Sequence, residues 1–223
     1  MREVNIALVG LGTVGSGVYK TIALQKRSIE HRESLTLTIK KVLALQYSID
    51  IPEELKARDF HRDIAGDPSI DIVVELIGGV NPAKEFILAA LAAGKTVVTA
   101  NKELLAQHWP ELNPAAMKSG AGLYFEASVG GGIQILRTLW DSLQANELNS
   151  VMGIINGTTN YILTHMEEDR LGFDAVLKEA QQQGLAEANP GNDVEGFDAM
   201  YKLSILSSMA FHARVPVEYI YRE

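Results

Sequence analysis

The sequence opens with an apolar run, VNIALVG, that leads into a glycine-rich turn, GLGTVG. Residues 4–10 have the length and composition of a buried strand, and residues 14–27 have helical spacing. A strand, a G-x-G-x-x-G turn and a helix in this order predict the first unit of a doubly wound sheet. We expect Gly10 to make the tight bend, Gly12 to let a pyrophosphate approach the backbone, and Gly15 to let helix and strand pack closely. The alternative is a glycine turn that is only structural.

Strands and helices then alternate along the first half of the chain. Strand patterns occur at 35–45, 71–78, 95–100 and 122–129, and the clearest further helix is at 82–94. Such alternation is typical of a parallel, doubly wound Rossmann sheet, which we place at residues 1–128. From about residue 129 the pattern changes to a helix at 131–144, a strand at 148–157 and three more helices. This predicts a second, α+β domain at 129–223.

Composition excludes several classes of function. The net charge is −8, and no cluster of Lys or Arg suggests nucleic-acid binding. The chain has no cysteine, which excludes disulfides, thiolate metal sites and a catalytic thiol. No apolar run predicts a membrane span and no leader pattern is present, so a cytoplasmic protein without a membrane partner is expected. The five histidines lack metal-ligand spacing, and each is expected to be structural or exposed.

Two lysines are candidates for chemistry. Lys102 follows the fourth strand, at the sheet edge where such folds bind ligands, although it could be a solvated lysine on the first turn of a helix. Lys202 lies four residues after Asp198, so the two side chains share one face of a helix that is apolar nearly all round. We expect this pair to be buried and functional, against the alternative of an ordinary surface ion pair. Asn192 or Asp193 is expected to cap that helix.

The absence of cysteine also narrows the reaction. Without a cysteine, this chain cannot oxidise an aldehyde through a cysteine thioester. Direct hydride transfer between a carbonyl and an alcohol remains possible. Acids near Lys202 would suit a cationic group on a small-molecule substrate. The second strand ends at Leu45-Gln46, where an acid usually binds the ribose hydroxyls, so the choice between NAD and NADP stays open.

Five stretches in order resemble the homoserine dehydrogenase family: GLGTVG, TANKELLA, EASVGGGIQIL, GIINGTTNYIL and GLAEANPGNDVEGFDAMYKLSIL. The resemblance implies NAD(P)H-dependent reduction of aspartate semialdehyde to homoserine. It also implies that the second domain binds substrate and forms a homodimer. The expected cofactor-binding residues are Gly10, Gly12, Thr13, Val14, Gly15, Thr99, Lys102 and Gly184.

The same resemblance assigns the remaining site residues. Lys202 matches the proton donor, and Lys102 matches a second active-site lysine. The expected substrate-binding acids are Glu187, Asp193 and Asp198. A monovalent cation, Na⁺ or K⁺, is expected at Glu126, Val129, Gly131 and Ile133, mostly through carbonyl oxygens.

Some features depart from the family pattern. Gln134 stands where proline is usual, Leu45-Gln46 replaces a common Arg-Asp pair, and the sequence stops before the family's closing segment. The alternatives are therefore a non-catalytic dinucleotide-binding fragment, or another amino-acid reductase of the same fold.

Overall fold

The computed structural model describes residues 2–222, and the chain divides into two compact units between Ser128 and Val129. The first unit is built on five parallel strands in the order β2-β1-β3-β4-β5. The strands are β1 (Arg2–Val9), β2 (Leu35–Leu43), β3 (Ile72–Glu75), β4 (Thr96–Thr99) and β5 (Leu123–Tyr124). The doubly wound parallel sheet predicted from the sequence is confirmed.

Three helices connect these strands: α1 (Thr13–Glu33), α2 (Ala83–Ala92) and α3 (Lys102–Ser119). Gly94 follows α2 at φ +73°, the left-handed conformation expected just after a helix, and its N–H donates to the carbonyl of Leu91. The core between β1, β2 and α1 is formed by apolar side chains that include Ile6, Leu8 and Val42. This packing fixes the carboxyl edge of the sheet, where β1 runs into the glycine-rich turn.

The second unit is helical over most of its described length. Its helices are α4 (Ile135–Arg137), α5 (Gly157–Glu168), α6 (Phe173–Gln182), α7 (Gly191–Val194) and α8 (Phe197–Ala210). A π-helical turn, Thr138–Ser142, continues α4. Helices α5 and α6 pack through a small core of Ile162, Val176, Ala180 and Ala186. Within residues 2–222 no helix is both long and apolar enough to cross a membrane.

Two expected elements of the second unit differ in the structure. The helix expected at 131–144 begins only at Ile135, because Gly130 and Gly131 adopt left-handed conformations that interrupt a helix. The strand expected at 148–157 does not form, and that prediction is wrong. A strand needs a neighbour for its backbone hydrogen bonds, and residues 129–222 contain no other strand with which this segment could pair.

Candidate active site

The glycine-rich turn of the first unit has the geometry that a phosphate needs. Gly10 has φ +100°, and a Cβ on it would lie 2.6 Å from the carbonyl carbon of Leu76. A Cβ on Gly15 would lie 2.1 Å from the carbonyl oxygen of Gly10, whereas a Cβ on Gly12 would meet no atom within 4 Å. Gly10 and Gly15 are therefore required by close packing, and Gly12 leaves the backbone open to a ligand.

The same turn starts a long helix whose first N–H groups are open. Gly12 is the N-cap of α1 and provides no side-chain cap. Thr13 and Val14, in the first turn of α1, are exposed. Unsatisfied N–H groups and the positive end of the helix dipole favour an anion at this position. The residues present therefore fit the pyrophosphate of a dinucleotide.

Lys102 is the first residue of α3, immediately beyond the carboxyl end of β4, and it is half-buried. Asn101 caps this helix, since its side-chain oxygen accepts the N–H of Leu104 at 3.1 Å. Thr99, another predicted cofactor contact, is only 1 % exposed, and its hydroxyl donates to Glu75. The cofactor contacts assigned to Thr99 and Lys102 stay predictions.

In the second unit, Lys202 and Asp198 form the ion pair that their spacing predicts. The ammonium Nζ of Lys202 lies 2.6 Å from Oδ2 of Asp198, and it also donates to the carbonyl of Ile155 at 2.7 Å. The side chains of Lys202 and Asp198 are only 19 % and 9 % exposed. The pair is therefore held largely out of solvent, where charge interactions are stronger than at the surface.

Asn156 links this pair to a second acid. Its side-chain nitrogen donates to Asp193 and to Asp198, each at 2.8 Å. Its side-chain oxygen accepts the N–H and the hydroxyl of Thr159, at 2.8 and 2.9 Å, and so caps α5. The capping role expected of Asn192 or Asp193 is wrong, because α8 starts after Gly196 without a side-chain cap and the Asp193 carboxylate faces Asn156 instead.

These side chains lie on the wall of a cavity of about 580 Å³ within the second unit. Lys202, Asp198 and Asp193 all line it. The other lining residues are Asn156, Gly157, Thr158, Asn160, Tyr161, Thr164, His165 and Leu185. A lysine, two carboxylates and several hydroxyl and amide groups around one space can bind a small polar molecule and give it a proton.

Glu187 and Gly184, predicted to bind substrate and coenzyme, lie outside the cavity lining. Glu187 is exposed, and the contact it makes with Gln181 is through its backbone carbonyl, at 3.0 Å. Gly184 is an exposed turn residue at φ +73°. The structure therefore brings together Lys202, Asp198 and Asp193, but not Glu187 or Gly184, around this space.

Tyr161 and His165 line the cavity but were not singled out in the sequence. Nδ1 of His165 lies 2.6 Å from Asp169, and this hydrogen bond raises the pKa of the imidazole. Burial, followed by a hydrogen bond to Glu179, raises the pKa of Tyr161. The four-residue spacing of Tyr161 and His165 on a predicted helix was the only signal that could have placed them on one face.

The residues predicted to bind a monovalent cation fall in different units. Glu126 belongs to a 3₁₀ turn of the first unit, whereas Val129, Gly131 and Ile133 belong to the loop that opens the second. Between residues 2 and 222, no group of three or more His, Asp or Glu side chains could hold a metal ion. Because most of the predicted ligands are backbone carbonyls, the cation site stays a prediction.

Comparison with known proteins gives matches over both units. The family model described as homoserine dehydrogenase, NAD binding domain, matches residues 10–126, and the homoserine dehydrogenase model matches residues 135–223. Homoserine dehydrogenase of Bacillus subtilis is 45% identical over 222 residues, which are 98% of this chain and 51% of that protein. The Lactococcus lactis enzyme is 44% identical over 93% of this chain and 50% of its own length.

Solved structures give the same result. A homoserine dehydrogenase from Thiobacillus denitrificans is 41% identical, with a TM-score of 0.93 over 100% of this chain and 52% of that one. A putative homoserine dehydrogenase from Archaeoglobus fulgidus is 33% identical, with a TM-score of 0.86 over 98% of this chain and 72% of that one. The chain spans about half the length of the curated relatives it matches.

Proposed function

Because the chain belongs to the homoserine dehydrogenase family, we propose that the protein to which it belongs reduces L-aspartate 4-semialdehyde to L-homoserine with a nicotinamide coenzyme. The reaction is reversible and serves threonine, methionine and isoleucine biosynthesis. One observation carries the proposal: a partly buried ammonium, held by a carboxylate, lines a cavity that can hold a small polar molecule. A non-catalytic binding fragment would need such a lysine only for stability, so kinetics of a Lys202 variant distinguish the two readings.

The proposed role of Lys202 is to give a proton to the reacting oxygen. When bound, the reduced nicotinamide supplies a hydride to the carbonyl carbon, and negative charge develops on the carbonyl oxygen. Two of the three N–H groups of Lys202 are used by Asp198 and Ile155. The third is directed to a substrate oxygen in the cavity, where a positioned acid lowers the barrier.

Acids around the cavity would bind the amino end of the substrate. Asp193 and Asp198 line the wall, and Asn156 holds both carboxylates at fixed positions. Glu187, which the family resemblance assigns to the same task, would need its exposed side chain to turn toward the substrate. A second family assignment makes Lys102 the lysine beside coenzyme and substrate.

The coenzyme site is proposed at the glycine-rich turn, with Gly184 as a further contact. Leu45 beyond β2 is fully exposed, and two basic residues further along the chain, Lys56 and Arg58, lie 2.8 and 3.7 Å from the carboxylate of Glu53. With neutral Gln46 at the ribose position, NADPH and NADH should bind with a difference below about tenfold, or roughly 1.4 kcal/mol. Titrations with a thousandfold preference would mean that Lys56 or Arg58 reads the 2′-phosphate.

A monovalent cation, Na⁺ or K⁺, is proposed at Glu126, Val129, Gly131 and Ile133. The left-handed conformations of Gly130 and Gly131 turn the loop sharply, as a ring of carbonyl ligands around a hard cation requires. Activity measured in sodium, potassium and choline salts at equal ionic strength tests this. Equal rates in all three would argue against the site.

The protein is further proposed to be a cytoplasmic homodimer. Several large apolar side chains of the second unit are exposed, among them Trp140, Met152 and Ile154, and a partner subunit would cover them. Sedimentation equilibrium of the 223-residue chain should give the dimer mass. A stable monomer with full turnover would contradict this proposal.

The decisive experiment measures NADPH oxidation with aspartate semialdehyde, using the 223-residue chain and a longer form. In whichever form turns over, Lys202→Ala should lower kcat by about 10²–10⁴-fold while NADPH affinity stays close to wild type. Lys178→Ala is the control, because Lys178 is an exposed lysine of the same unit outside the cavity. Near-normal kcat in Lys202→Ala would make Lys102 the leading proton donor. No turnover in either form would favour the binding fragment, and reduction of another amino-acid carbonyl instead would favour a different reductase.

A further inference from the structure

A carboxylate without a role in the proposed reaction lies at the centre of the carboxyl edge of the sheet. Glu75 is the last residue of β3 and is 0 % exposed. It pairs with Val9 of β1 on one side and with Thr99 of β4 on the other. Three strand ends therefore meet at this side chain, directly below the turns where a doubly wound sheet binds its ligand.

Both oxygens of Glu75 accept hydrogen bonds from those turns. Oε1 accepts the N–H of Ile77 at 2.7 Å, and Oε2 accepts the hydroxyl of Thr99 at 2.6 Å. The Thr99 oxygen in turn accepts the N–H of Asn101 at 3.0 Å. Since a carboxylate only accepts hydrogen bonds, its two oxygens match the two donors that point at it.

Asn101 closes this network into a ring. Its side-chain nitrogen donates to the carbonyl of Gly79 at 2.6 Å, while its side-chain oxygen caps α3 through Leu104. The β3–α2 loop, residues 76–82, is thus tied to the first turn of α3, which begins at Lys102. The same loop also packs on the glycine-rich turn, because a Cβ on Gly10 would lie 2.9 Å from the N atom of Ile77.

Burial of a carboxylate here is not explained by stability alone. A buried charge is costly, and an apolar side chain of similar volume between three strands is often as stable or more stable. The groups that Glu75 holds lie in two turns at one edge, not in the body of the sheet. A requirement for fixed turns therefore explains this acid better than packing does.

The sheet order indicates which part of a dinucleotide these turns would contact. The end of β2 is the position for the adenosine ribose, and the turn after β1 is the position for the pyrophosphate. The other half of the molecule then extends over the ends of β3 and β4. That half carries the nicotinamide, and Lys102 lies beside its expected place.

We infer that Glu75 is a positioning residue for the nicotinamide half of the coenzyme: through Thr99, Asn101 and Ile77 it holds the β3–α2 loop and the first turn of α3. This inference rests on the proposed function for the identity of the coenzyme. It concerns a residue that touches neither coenzyme nor substrate. Its effect should therefore be confined to one half of the dinucleotide.

The test compares two ligands of the 223-residue chain by isothermal titration calorimetry. The affinity for NADPH depends on contacts to both halves of the dinucleotide, whereas the affinity for ADP depends only on contacts to the adenosine and pyrophosphate part. Glu75→Gln keeps the shape of the side chain, but its amide has only one acceptor oxygen, so either the Thr99 hydroxyl or the Ile77 N–H faces an N–H donor instead of an acceptor. We expect it to weaken NADPH binding by roughly ten- to a hundredfold, as loss of a supporting hydrogen-bond partner commonly does. ADP affinity should stay within about twofold of wild type.

Two further variants separate positioning from a general loss of stability. Thr99→Val removes the hydroxyl link while keeping a β-branched strand residue, and it also keeps the backbone, through which alone a residue 1 % exposed could contact the coenzyme directly. It should give the same selective loss, so that the inference remains testable if Glu75→Gln does not fold. The double variant should be no worse than the stronger single one. Lys95→Met is the matched control. Lys95 is a buried charged residue that directly precedes β4, at the end of the strand opposite Thr99, and it donates to the carbonyls of Asp67 and Ile70. The control variant should leave both affinities unchanged.

The outcomes distinguish this inference from the proposed function. A wild-type chain that binds neither ligand would contradict the proposed function, and the inference with it. A wild-type chain that binds both, with Glu75→Gln and Thr99→Val like wild type, would overturn the inference alone. Equal weakening of NADPH and ADP would also overturn it, because the defect would then not be confined to the nicotinamide half.

Discussion

Removal of the Lys202 ammonium should destabilise the second unit strongly, whatever its catalytic role. In Lys202→Met, Asp198 loses a partner at 2.6 Å and keeps its bond to Asn156, and its side chain is only 9 % exposed. Breaking a buried pair by removing one partner usually costs about 3–5 kcal/mol. Since the cavity can admit water to the carboxylate, we expect a loss of about 2–4 kcal/mol here.

Asp198→Asn tests the other side of the pair. The ammonium keeps its bond to the carbonyl of Ile155, and the Lys202 side chain is about twice as exposed as that of Asp198, at 19 % against 9 %. This variant should cost less, about 1–2 kcal/mol. The double variant Lys202→Met with Asp198→Asn removes both charges of the pair, so its loss should be about 1.5–3 kcal/mol smaller than the sum of the single losses.

The assay must report the second unit by itself, because a chain of two units need not unfold in one step. The two tryptophans allow this, since Trp109 lies in the first unit and Trp140 in the second. In a Trp109→Phe background, urea unfolding followed by fluorescence reports residue 140. Lys178→Met is the control and should change stability by less than about 0.5 kcal/mol.

Two results would refute this reasoning. Lys202→Met within about 0.5 kcal/mol of the control would show that the ion pair contributes no net stability. Single losses that simply add in the double variant would show that the two charges are not coupled, despite their separation of 2.6 Å.

Further predictions concern the glycine-rich turn after β1 and the His165–Asp169 pair. Gly15→Ala should cost about 3 kcal/mol or more and abolish dinucleotide binding, because its Cβ would lie 2.1 Å from the Gly10 oxygen. Gly17→Ala, in open space on the same helix, should instead stabilise by about 0.5–1 kcal/mol, and equal effects in thermal unfolding would contradict the packing argument. His165 should titrate by NMR above its usual 6.5, and Asp169→Asn should lower that midpoint. Because the folded pKa is raised, the stability from this pair is complete below pH 6.5 and is lost as pH rises through the folded pKa. An unchanged midpoint in Asp169→Asn would contradict this.

The parts of the fold that were predictable are those with local signals. Apolar runs ending at glycine marked β1 and β3, a short apolar run after Gly94 marked β4, and the position of Gly94 marked the end of α2. The Asp198–Lys202 pair followed from a spacing of four residues on a helix. Each of these features depends only on residues a few positions away, so it can be predicted from the sequence.

The arrangement around Asn156 was not predictable in this way. Its bonds to Asp193 and Asp198 join residues 37 and 42 positions apart, and no periodicity in the sequence specifies such distances. The capping role expected of Asp193 failed for the same reason, since a distant amide competed for its carboxylate. The buried position of Glu75 was equally hidden, because a glutamate at a strand end looks like an exposed residue until the neighbouring strands are in place.

The side chain of Asn156 has no hydrogen-bonding capacity left over. Both of its N–H groups and both lone pairs of its oxygen are engaged, two with the acids of the cavity and two with the first turn of α5. Aspartate would lack the donors, glutamine would set them at another distance, and serine would supply too few. Any substitution at position 156 should therefore disturb both the cap of α5 and the positions of the two acids. A saturation library at this position should contain almost no variants that keep one of these functions and change the other. Directed evolution of substrate range would have to proceed through other residues of the cavity wall, such as Thr158 or Leu185, where a change in shape does not unfold a helix.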